Sequence, residues 1–310
     1  MLNLIRNENM KIYNRVRTWV LLGILVTLTI ALPILISTSM NTEGDWRQQV
    51  QAEVDQFKPQ LNTGMEVMKK TAERIVKIGE YRLAHDIPPA DGSTWGNVMN
   101  VAPFLILIVG VFTVIVAADI VAGEFSTGTI KLLLIRPASR TKILLSKYIA
   151  TLLFSLLLFA TQFIVSYLVN GIISSFAGSN SPYLFLGGDG LVHERSMLVH
   201  ALSSQGLNCI GMLMIVTMAF MISSAFRSSA LSIALSLIFF LAGTVPAMLL
   251  RKYTWMKYYL FNNTDLTVYA EGIPPYEGMT LNFSIAVLVG YFLLFHLLSW
   301  FFFVKRDVAA

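Results

Sequence analysis

The stretch from Asp119 to Lys147 reads DIVAGEFSTGTIKLLLIRPASRTKILLSK and lies between two apolar runs, each long enough to cross a membrane. It holds five Lys/Arg residues against two acidic residues, Asp119 and Glu124. A basic segment between two spans faces the cytoplasm under the positive-inside rule. The sequence therefore predicts a cytoplasmic connection here, and its orientation fixes the direction of every other span.

The same stretch predicts a helix, a break and a second helix. Small residues at 126–129 follow Glu124, and an apolar run then leads to Arg136 and Pro137. Pro137 disfavours helical backbone at the residue before it and ends the short helix. Ser139 is a suitable N-cap for the helix that follows. Two short helical pieces at the membrane surface suit the docking of a partner.

This segment resembles the cytoplasmic loop of ABC type 2 exporter permeases, the class that includes bacitracin, sodium, lantibiotic and polysaccharide exporters. The resemblance rests on residues that occur in this order: Glu124, Gly128-Thr129, Leu132-Leu133-Leu134, Pro137, Ser139-Arg140 and Lys147. In that family the loop forms a coupling helix that docks into a cleft of a separate ATP-binding subunit. The alternative is an ordinary basic interfacial loop that only holds the topology.

The resemblance implies a set of ATPase-coupling residues: Glu124, Gly128, Thr129, Arg136, Pro137, Arg140 and Lys142. Glu124 would pair with a basic group or cap, either on the ATPase or on an adjacent helix. Gly128 would allow close approach of the two proteins. The basic members of the set would meet acidic residues or lipid phosphates.

Composition places the chain in a membrane. Of 310 residues, 55% are hydrophobic and 13% are charged, whereas soluble domains hold roughly 25% charged residues. The predicted cytoplasmic segments hold twelve Lys/Arg and four Asp/Glu, and the predicted outer segments hold eleven and fourteen. The basic excess orients the protein and does not indicate nucleic acid. We expect a multi-pass protein of the cell membrane, of the bacterial plasma-membrane type.

The apolar runs predict an all-α polytopic protein with six transmembrane helices and both termini in the cytoplasm. The expected parts form one transmembrane domain: an amphipathic interfacial helix at 1–18, the first span at 19–40, an extracellular helical insertion at 41–96, and five further spans within 97–310, with the coupling loop at 119–142. For 1–18, the alternative is a frayed tail that only supplies positive charge.

The insertion at 41–96 carries apolar residues at steps of three and four, the spacing of amphipathic helices. Pro59 and the stretch 62–64 predict a break, and hence a helical hairpin or kinked pair. The resemblance makes this insertion unusual, because compact members of that family join these spans briefly. It acts either as a structural cap or in gating an exit or holding a substrate or partner.

Two further outer segments follow from the topology. Residues 171–200 are rich in Gly and Ser, and Gly187–Gly190 is interpreted as a turn because the rest of a phosphate loop is missing. His193 and His200 are expected in a surface loop, since their spacing does not predict a metal site. Residues 251–280 are aromatic-rich, and the resemblance implies short re-entrant helices there.

A few polar or soft side chains interrupt the spans. Gln162, Met214, Met218 and His296 are candidates for lining a translocation path. Helix packing explains the methionines equally well. His296 is either a proton relay or a neutral side chain bonded to a neighbouring helix. The single cysteine, Cys209, is expected to be a packing residue.

Missing motifs narrow the function. The sequence has no GxxxxGK[ST] loop for ATP, no HExxH and no Ser/His/Asp arrangement, so we expect no enzyme activity and no cofactor on this chain. Its spans carry almost no charge, which disfavours an ion-coupled carrier. The favoured function is the permease subunit of an ATP-driven ABC exporter. Its partners would be an ATP-binding subunit that holds ATP and Mg, a second or related permease, and the bilayer. The alternatives are a non-transporting scaffold or sensor that uses the extracellular helices, or an ion-coupled carrier.

Overall fold

A computed structural model describes residues 1–39, 45–62, 66–90, 92–130, 138–178, 181–187, 189–270, 274–276 and 278–304. Its elements in chain order are α1 (Leu2–Tyr13), α2 (Val16–Ser39), α3 (Trp46–Phe57), α4 (Glu66–His85), α5 (Thr94–Asp119), α6 (Ala122–Ser126), α7 (Arg140–Ile173), β1 (Pro182–Leu186), β2 (Val192–Ser196), α8 (Met197–Ala225), α9 (Ser229–Ala242), α10 (Val245–Leu249), α11 (Thr267–Ala270) and α12 (Leu281–Val304).

Six of these helical segments are long and apolar enough to cross a membrane: α2, α5, α7, α8, α9 together with α10, and α12. The prediction of a helical polytopic membrane protein is confirmed at this level. Helices α5 and α8 form the centre, because 56% and 61% of their most apolar windows are buried, against 17% for α2. The peripheral helices turn large apolar side chains outward, as lipid-facing helices do.

The two ends of this bundle carry different structures. The end that holds Glu124, here called the Glu124 end, also carries α1, α6, the turn before α9 and the end of α12. The opposite end, here called the Trp95 end, carries α3, α4 and the two strands. Ser139 caps α7 by accepting a hydrogen bond from the Lys142 backbone, which confirms the predicted helix start.

Helices α3 and α4 pack against each other over a small valine core: Val50, Val54 and Val76. Asp45 caps α3 through its side chain. Gly79 brings the two helices close, since a Cβ at this position would lie 2.4 Å from a methyl of Val54. The pair is therefore a packed unit with its own small core.

The strands β1 and β2 form an antiparallel hairpin where the sequence predicted an irregular loop. Tyr183 pairs with Arg195, and Phe185 pairs with His193. The loop is closed by a hydrogen bond from Gly187 N–H to the Leu191 carbonyl. Aromatic residues on one strand and a side-chain network to α4 favour extended backbone here. The hairpin is a short two-stranded element in a mostly helical protein.

Helix α4 is tied to this hairpin by three hydrogen bonds. Arg74 donates to the Tyr183 hydroxyl at 3.3 Å, and Lys77 donates to the Gly190 carbonyl at 3.1 Å. Tyr81 donates to Glu194 at 3.2 Å. The helical pair and the hairpin therefore form one module at the Trp95 end.

The prediction that His200 lies in a surface loop is wrong. The residue lies in the first turn of α8 and is 5% exposed. Its ring stacks on Tyr183, with centroids 3.5 Å apart and planes within 7°. The span begins earlier than its hydropathy suggests, because the hairpin covers its first turn. His193 is exposed, as predicted, and lies 2.9 Å from Asp189 Oδ2.

The segment before α12 consists of short helical turns, Thr254–Tyr258, Leu260–Asn262 and α11. Leu260 and Leu266 are buried and pack with side chains of α8 and α12. The segment is thereby attached to the Trp95 end of the bundle.

We predict that Gly79→Val loosens the helical pair, because overpacking a tight contact costs about 1–3 kcal/mol. Trypsin cleavage of the purified protein within 45–90 should become faster. Ala84→Val on the exposed face of the same helix is the matched control. Equal cleavage rates for the two variants would contradict this packing.

Candidate functional site

Helix α6 continues the chain from α5 after a break at Ile120 and Val121. The backbone N–H groups of Val121 and Ala122 both donate to the Ser223 hydroxyl at 3.1 Å. Because the first N–H groups of a helix lack partners within it, this side chain from the end of α8 completes the start of α6. The short helix is thus anchored to the central pair of spans.

Glu124 lies in α6 and belongs to a closed ring of alternating charges. Its Oε1 accepts hydrogen bonds from Lys11 at 2.7 Å and from Lys147 at 3.0 Å. Glu8 closes the ring by accepting from Lys147 at 2.7 Å and from Lys11 at 3.0 Å. We call these four residues the ionic ring. It joins α1, α6 and α7.

Three of the four members of the ionic ring are buried, and the fourth, Lys11, is partly exposed. Lys147 is 1% exposed, Glu8 is 4% exposed and Glu124 is 8% exposed. A buried charge is costly unless it is paired and hydrogen-bonded, and each member here has two partners of opposite sign. Detaching α1 would leave Lys147 without Glu8. The alternative of a frayed N-terminal tail is therefore wrong, since α1 is a packed helix that also buries Ile12.

Electrostatics keep Glu124 ionised. Burial would raise the pKa of this carboxyl, but the charge of Lys147 and hydrogen bonds from Lys11, Thr129 and Lys147 outweigh it and lower the pKa to about 2. Burial likewise opposes the charge of Lys11, yet Glu124 and Glu8 raise its pKa above the ordinary value. Both groups are therefore charged at neutral pH.

A second charged group lies beside the ring. Asp119 accepts hydrogen bonds from Arg15, Arg17 and the Ser229 hydroxyl. We call Asp119, Arg15 and Arg17 the Asp119 cluster. Gly123 makes room for it, because a Cβ there would lie 2.8 Å from the carboxylate. The start of α2 and the start of α9 are thereby held at the end of α5.

The turn between α8 and α9 is also fixed to α6. The Ser126 hydroxyl accepts from the Ser229 backbone at 2.9 Å and donates to the Arg227 carbonyl at 3.1 Å. Five of the six spans therefore meet at one short helix, either directly or through the ring and the Asp119 cluster.

Three of the predicted coupling residues, Glu124, Gly128 and Thr129, lie in α6 or just after it. Glu124 is buried, and its basic partners lie on adjacent helices of its own chain, which is one of the two pairings considered. The Thr129 hydroxyl donates to Glu124 Oε2. Gly128 has a φ of +73°, a backbone conformation that favours glycine, with open space where a side chain would lie.

Two further coupling residues, Arg140 and Lys142, lie in the first turn of α7. Arg140 donates to the Val304 carbonyl at 3.0 Å and so links α7 to the end of α12. Lys142 is exposed in the first turn of α7. Arg136 and Pro137 lie outside the described residues.

Of the four candidate path residues, Gln162 lines a cavity of about 560 Å³ between spans. Met214 and Met218 do not line it, and pack in a core between α8 and α12. His296 also lies elsewhere, with Nδ1 2.9 Å from the Phe292 carbonyl and its ring edge-on to Tyr148. Within the described parts of the chain, no group of three or more His, Cys, Asp or Glu side chains could hold a metal ion.

Sequence reasoning missed Glu8 and Lys11 as site residues and recorded Lys147 only as part of the family resemblance. Two signals were present. Glu8 and Lys11 are oppositely charged at a spacing of three, so they share one face of α1. Lys147 is a charge two turns inside an otherwise apolar span, where such residues need a partner.

We predict that Lys147→Met destabilises the protein strongly, by about 3–5 kcal/mol, because two buried carboxylates are then left to share the single cation Lys11. Lys142→Met, on the exposed face of the same helix, should have little effect. Adding Glu124→Gln to Lys147→Met should restore part of the loss. The readout is the melting temperature of the purified protein in detergent. Additive losses in the double variant would contradict the ring.

The depressed pKa of Glu124 predicts acid sensitivity. A carboxyl whose folded-state pKa is lowered from 4.5 to about 2 stabilises the fold fully above its ordinary pKa and loses that contribution as the pH falls through about 2. Melting temperatures between about pH 6 and about pH 2 should therefore fall more for the wild type than for Glu124→Gln. Parallel curves would show that this carboxylate is not held ionised by the ring.

Comparisons with known proteins support the assignment of the chain as a membrane protein. The family described as "Protein of unknown function (DUF2705)" matches residues 71–309. The chain is 41% identical over 314 residues to the uncharacterized protein YhcI of Bacillus subtilis (strain 168), across the full length of both. It is 31% identical over 213 residues to the uncharacterized membrane protein YdbK of the same organism, covering 68% of this chain and 82% of that one. With six apolar helices, the chain is a multi-pass membrane protein.

Proposed function

We propose that this chain, which belongs to the DUF2705 family, is the membrane-spanning permease subunit of an ATP-driven ABC exporter. It would form the translocation path and couple to a separate ATP-binding subunit that carries ATP and Mg. The observation that carries the proposal is the convergence of the spans on α6, through the ionic ring and the Asp119 cluster.

Such convergence is what an externally driven transporter needs. A force on α6 acts on α5 through the chain, on α7 through Lys147, on α8 through Ser223, and on α9 through the Ser229 backbone, which donates to Ser126. It acts on α1 directly through Lys11, which bonds to Glu124. It reaches the start of α2 through α5, because Arg15 and Arg17 bond to Asp119 at the end of that helix. Because Glu124, Lys147 and Ser223 are buried and bonded to one another's helices, α6 is expected to move together with α7 and α8 rather than slide over them.

The exposed surface around α6 supplies the docking face. Thr127, Gly128 and Lys142 are exposed beside the buried ring. In this proposal Glu124 positions α6 from within the permease, and the exposed neighbours meet the ATP-binding subunit. Glu124 therefore shapes the docking face, whereas Thr127, Gly128 and Lys142 touch the partner.

The distribution of charge supports an orientation in which the Glu124 end faces the cytoplasm. Arg15, Arg17 and Lys142 lie at the Glu124 end, together with a basic excess in the segments 1–18 and 119–147. The positive-inside rule places this end in the cytoplasm, where the ATP-binding subunit would be. A second permease copy or a related permease would complete the transporter in the bacterial cell membrane.

We predict that Lys142→Glu weakens recovery of an ATP-binding subunit in a pull-down from native membranes, roughly tenfold if an exposed contact charge is reversed. Its melting temperature should match the wild type, because the side chain is exposed. Lys69→Glu, an exposed lysine of α4 at the Trp95 end, is the matched control. Mass spectrometry of bound proteins gives the recovery.

Glu124→Gln should lower both recovery and melting temperature, since Glu124 acts through the fold. Stable wild-type protein that brings down no ATP-binding subunit would remove the energy source from the proposal. Equal recovery with Lys142→Glu and Lys69→Glu would remove the docking face.

A further inference from the structure

A cavity of about 560 Å³ lies between α5, α7, α8 and α9, closed at one side by residues 261–267. This volume falls within the range of small-molecule sites in proteins, roughly 300–1,000 Å³. Much of its wall is apolar and aromatic: Met99, Ile106, Phe163, Met212 and Phe240. It is distinct from the ionic ring, which lies at the opposite end of these helices.

Three amide side chains line the cavity deep in the bundle. Gln162 and Asn208 each lie about 16 Å along their helices from the Trp95 end, at a rise of 1.5 Å per residue. Gln205 donates to Gln162 Oε1 at 3.2 Å. Within the described chain, the Asn208 amide and the Gln162 amide nitrogen make no hydrogen bond to the protein. Both groups line the cavity with unused hydrogen-bonding capacity.

In the described part of the chain, the Asn208 amide and the Gln162 amide nitrogen lack protein partners deep in the bundle, and this needs an explanation. Backbone and side-chain polar groups within a bilayer are normally satisfied by the protein, because lipid chains offer no partners. Each amide here can both donate and accept. A ligand that carries amide or hydroxyl groups would supply the missing partners, whereas a purely hydrocarbon molecule would not.

The charge of the lining is one-sided. Asp265 is the single ionisable side chain among the residues that line the cavity, all of which belong to the described chain. It is exposed, and its Oδ1 accepts hydrogen bonds from the Thr267 backbone at 3.0 Å and from the Thr267 hydroxyl at 2.5 Å. A carboxylate without a lining cation favours a positively charged group and disfavours an anion.

We propose that this cavity binds a cationic amphiphile, with its apolar body against the aromatic wall, its amide or hydroxyl groups on Gln162, Gln205 and Asn208, and its amine toward Asp265. The proposal of binding rests on the cavity and its lining residues and does not depend on the transport function. The identification of the ligand as cargo rests on the proposed transport function.

The test uses the full-length protein in nanodiscs of phosphatidylcholine and a dodecylamine that carries a diazirine in its chain. Photolabelling mapped by mass spectrometry should saturate and should mark lining residues of α5 and α8. Free dodecylamine should compete at least about tenfold better than dodecanoate, because a charged hydrogen bond favours the amine. Dodecanol should lie between them.

Two matched variants locate the site. Ser204 lines the cavity, and Ser203 is the exposed neighbour on the same helix. Ser204→Phe should abolish the saturable label, and Ser203→Phe should keep it. Asp265→Asn should remove the advantage of dodecylamine over dodecanol without changing competition by dodecanol. Asn208→Leu should weaken competition by dodecanol, and melting temperatures establish that each variant is folded.

Label that never saturates and spreads over lipid-facing residues would overturn the proposal and indicate that water fills the cavity. Unchanged labelling in folded Ser204→Phe, or an unchanged amine preference in Asp265→Asn, would do the same. Recovery of the ATP-binding subunit is measured separately. If recovery succeeds and saturable binding fails, the proposed transport function stands and the cavity assignment falls. If binding succeeds and recovery fails, the site stands without its role as a cargo site.

Discussion

The ammonium group of Lys147 is buried at 1% exposure inside a membrane bundle, and the arrangement of the Glu124 end depends on satisfying it. Two carboxylates do so, Glu8 from α1 and Glu124 from α6, and Lys11 balances the second negative charge. Loss of any one member leaves an unpaired charge in a region of low dielectric. The ring therefore constrains three helices that hydrophobic packing alone would leave free to slide.

The two ends of the protein are built on different interactions. At the Glu124 end, charged side chains and serine hydroxyls hold short segments against the spans. At the Trp95 end, the α3–α4 pair and the β-hairpin are held by valine packing and by hydrogen bonds from Arg74, Lys77 and Tyr81. Between them, α5 and α8 form a buried pair, and the cavity lined by Gln162, Gln205 and Asn208 lies on the side toward the Trp95 end.

The sequence was sufficient for features that depend on local pattern. Continuous apolar runs predicted the six membrane-spanning helices, and Ser139 predicted the start of α7, because both signals are confined to neighbouring residues. The ionic ring was not predictable in the same way, since Glu8 and Lys147 are brought together only by packing of α1 on α7. The hairpin and the buried position of His200 were missed because cross-strand pairing and contact with Tyr183 have no local signature.

The order of the ring along the chain has a consequence for biosynthesis. Glu8 and Lys11 leave the ribosome first, whereas Glu124 follows two spans later and Lys147 comes later still. Until α7 has entered the membrane, the surface that binds α1 lacks Lys147 and is incomplete. A chain that stops or misinserts before Lys147 leaves Glu8 and Glu124 with one cation of the ring, Lys11, instead of two. Completion of the ring therefore requires that α7 has been inserted.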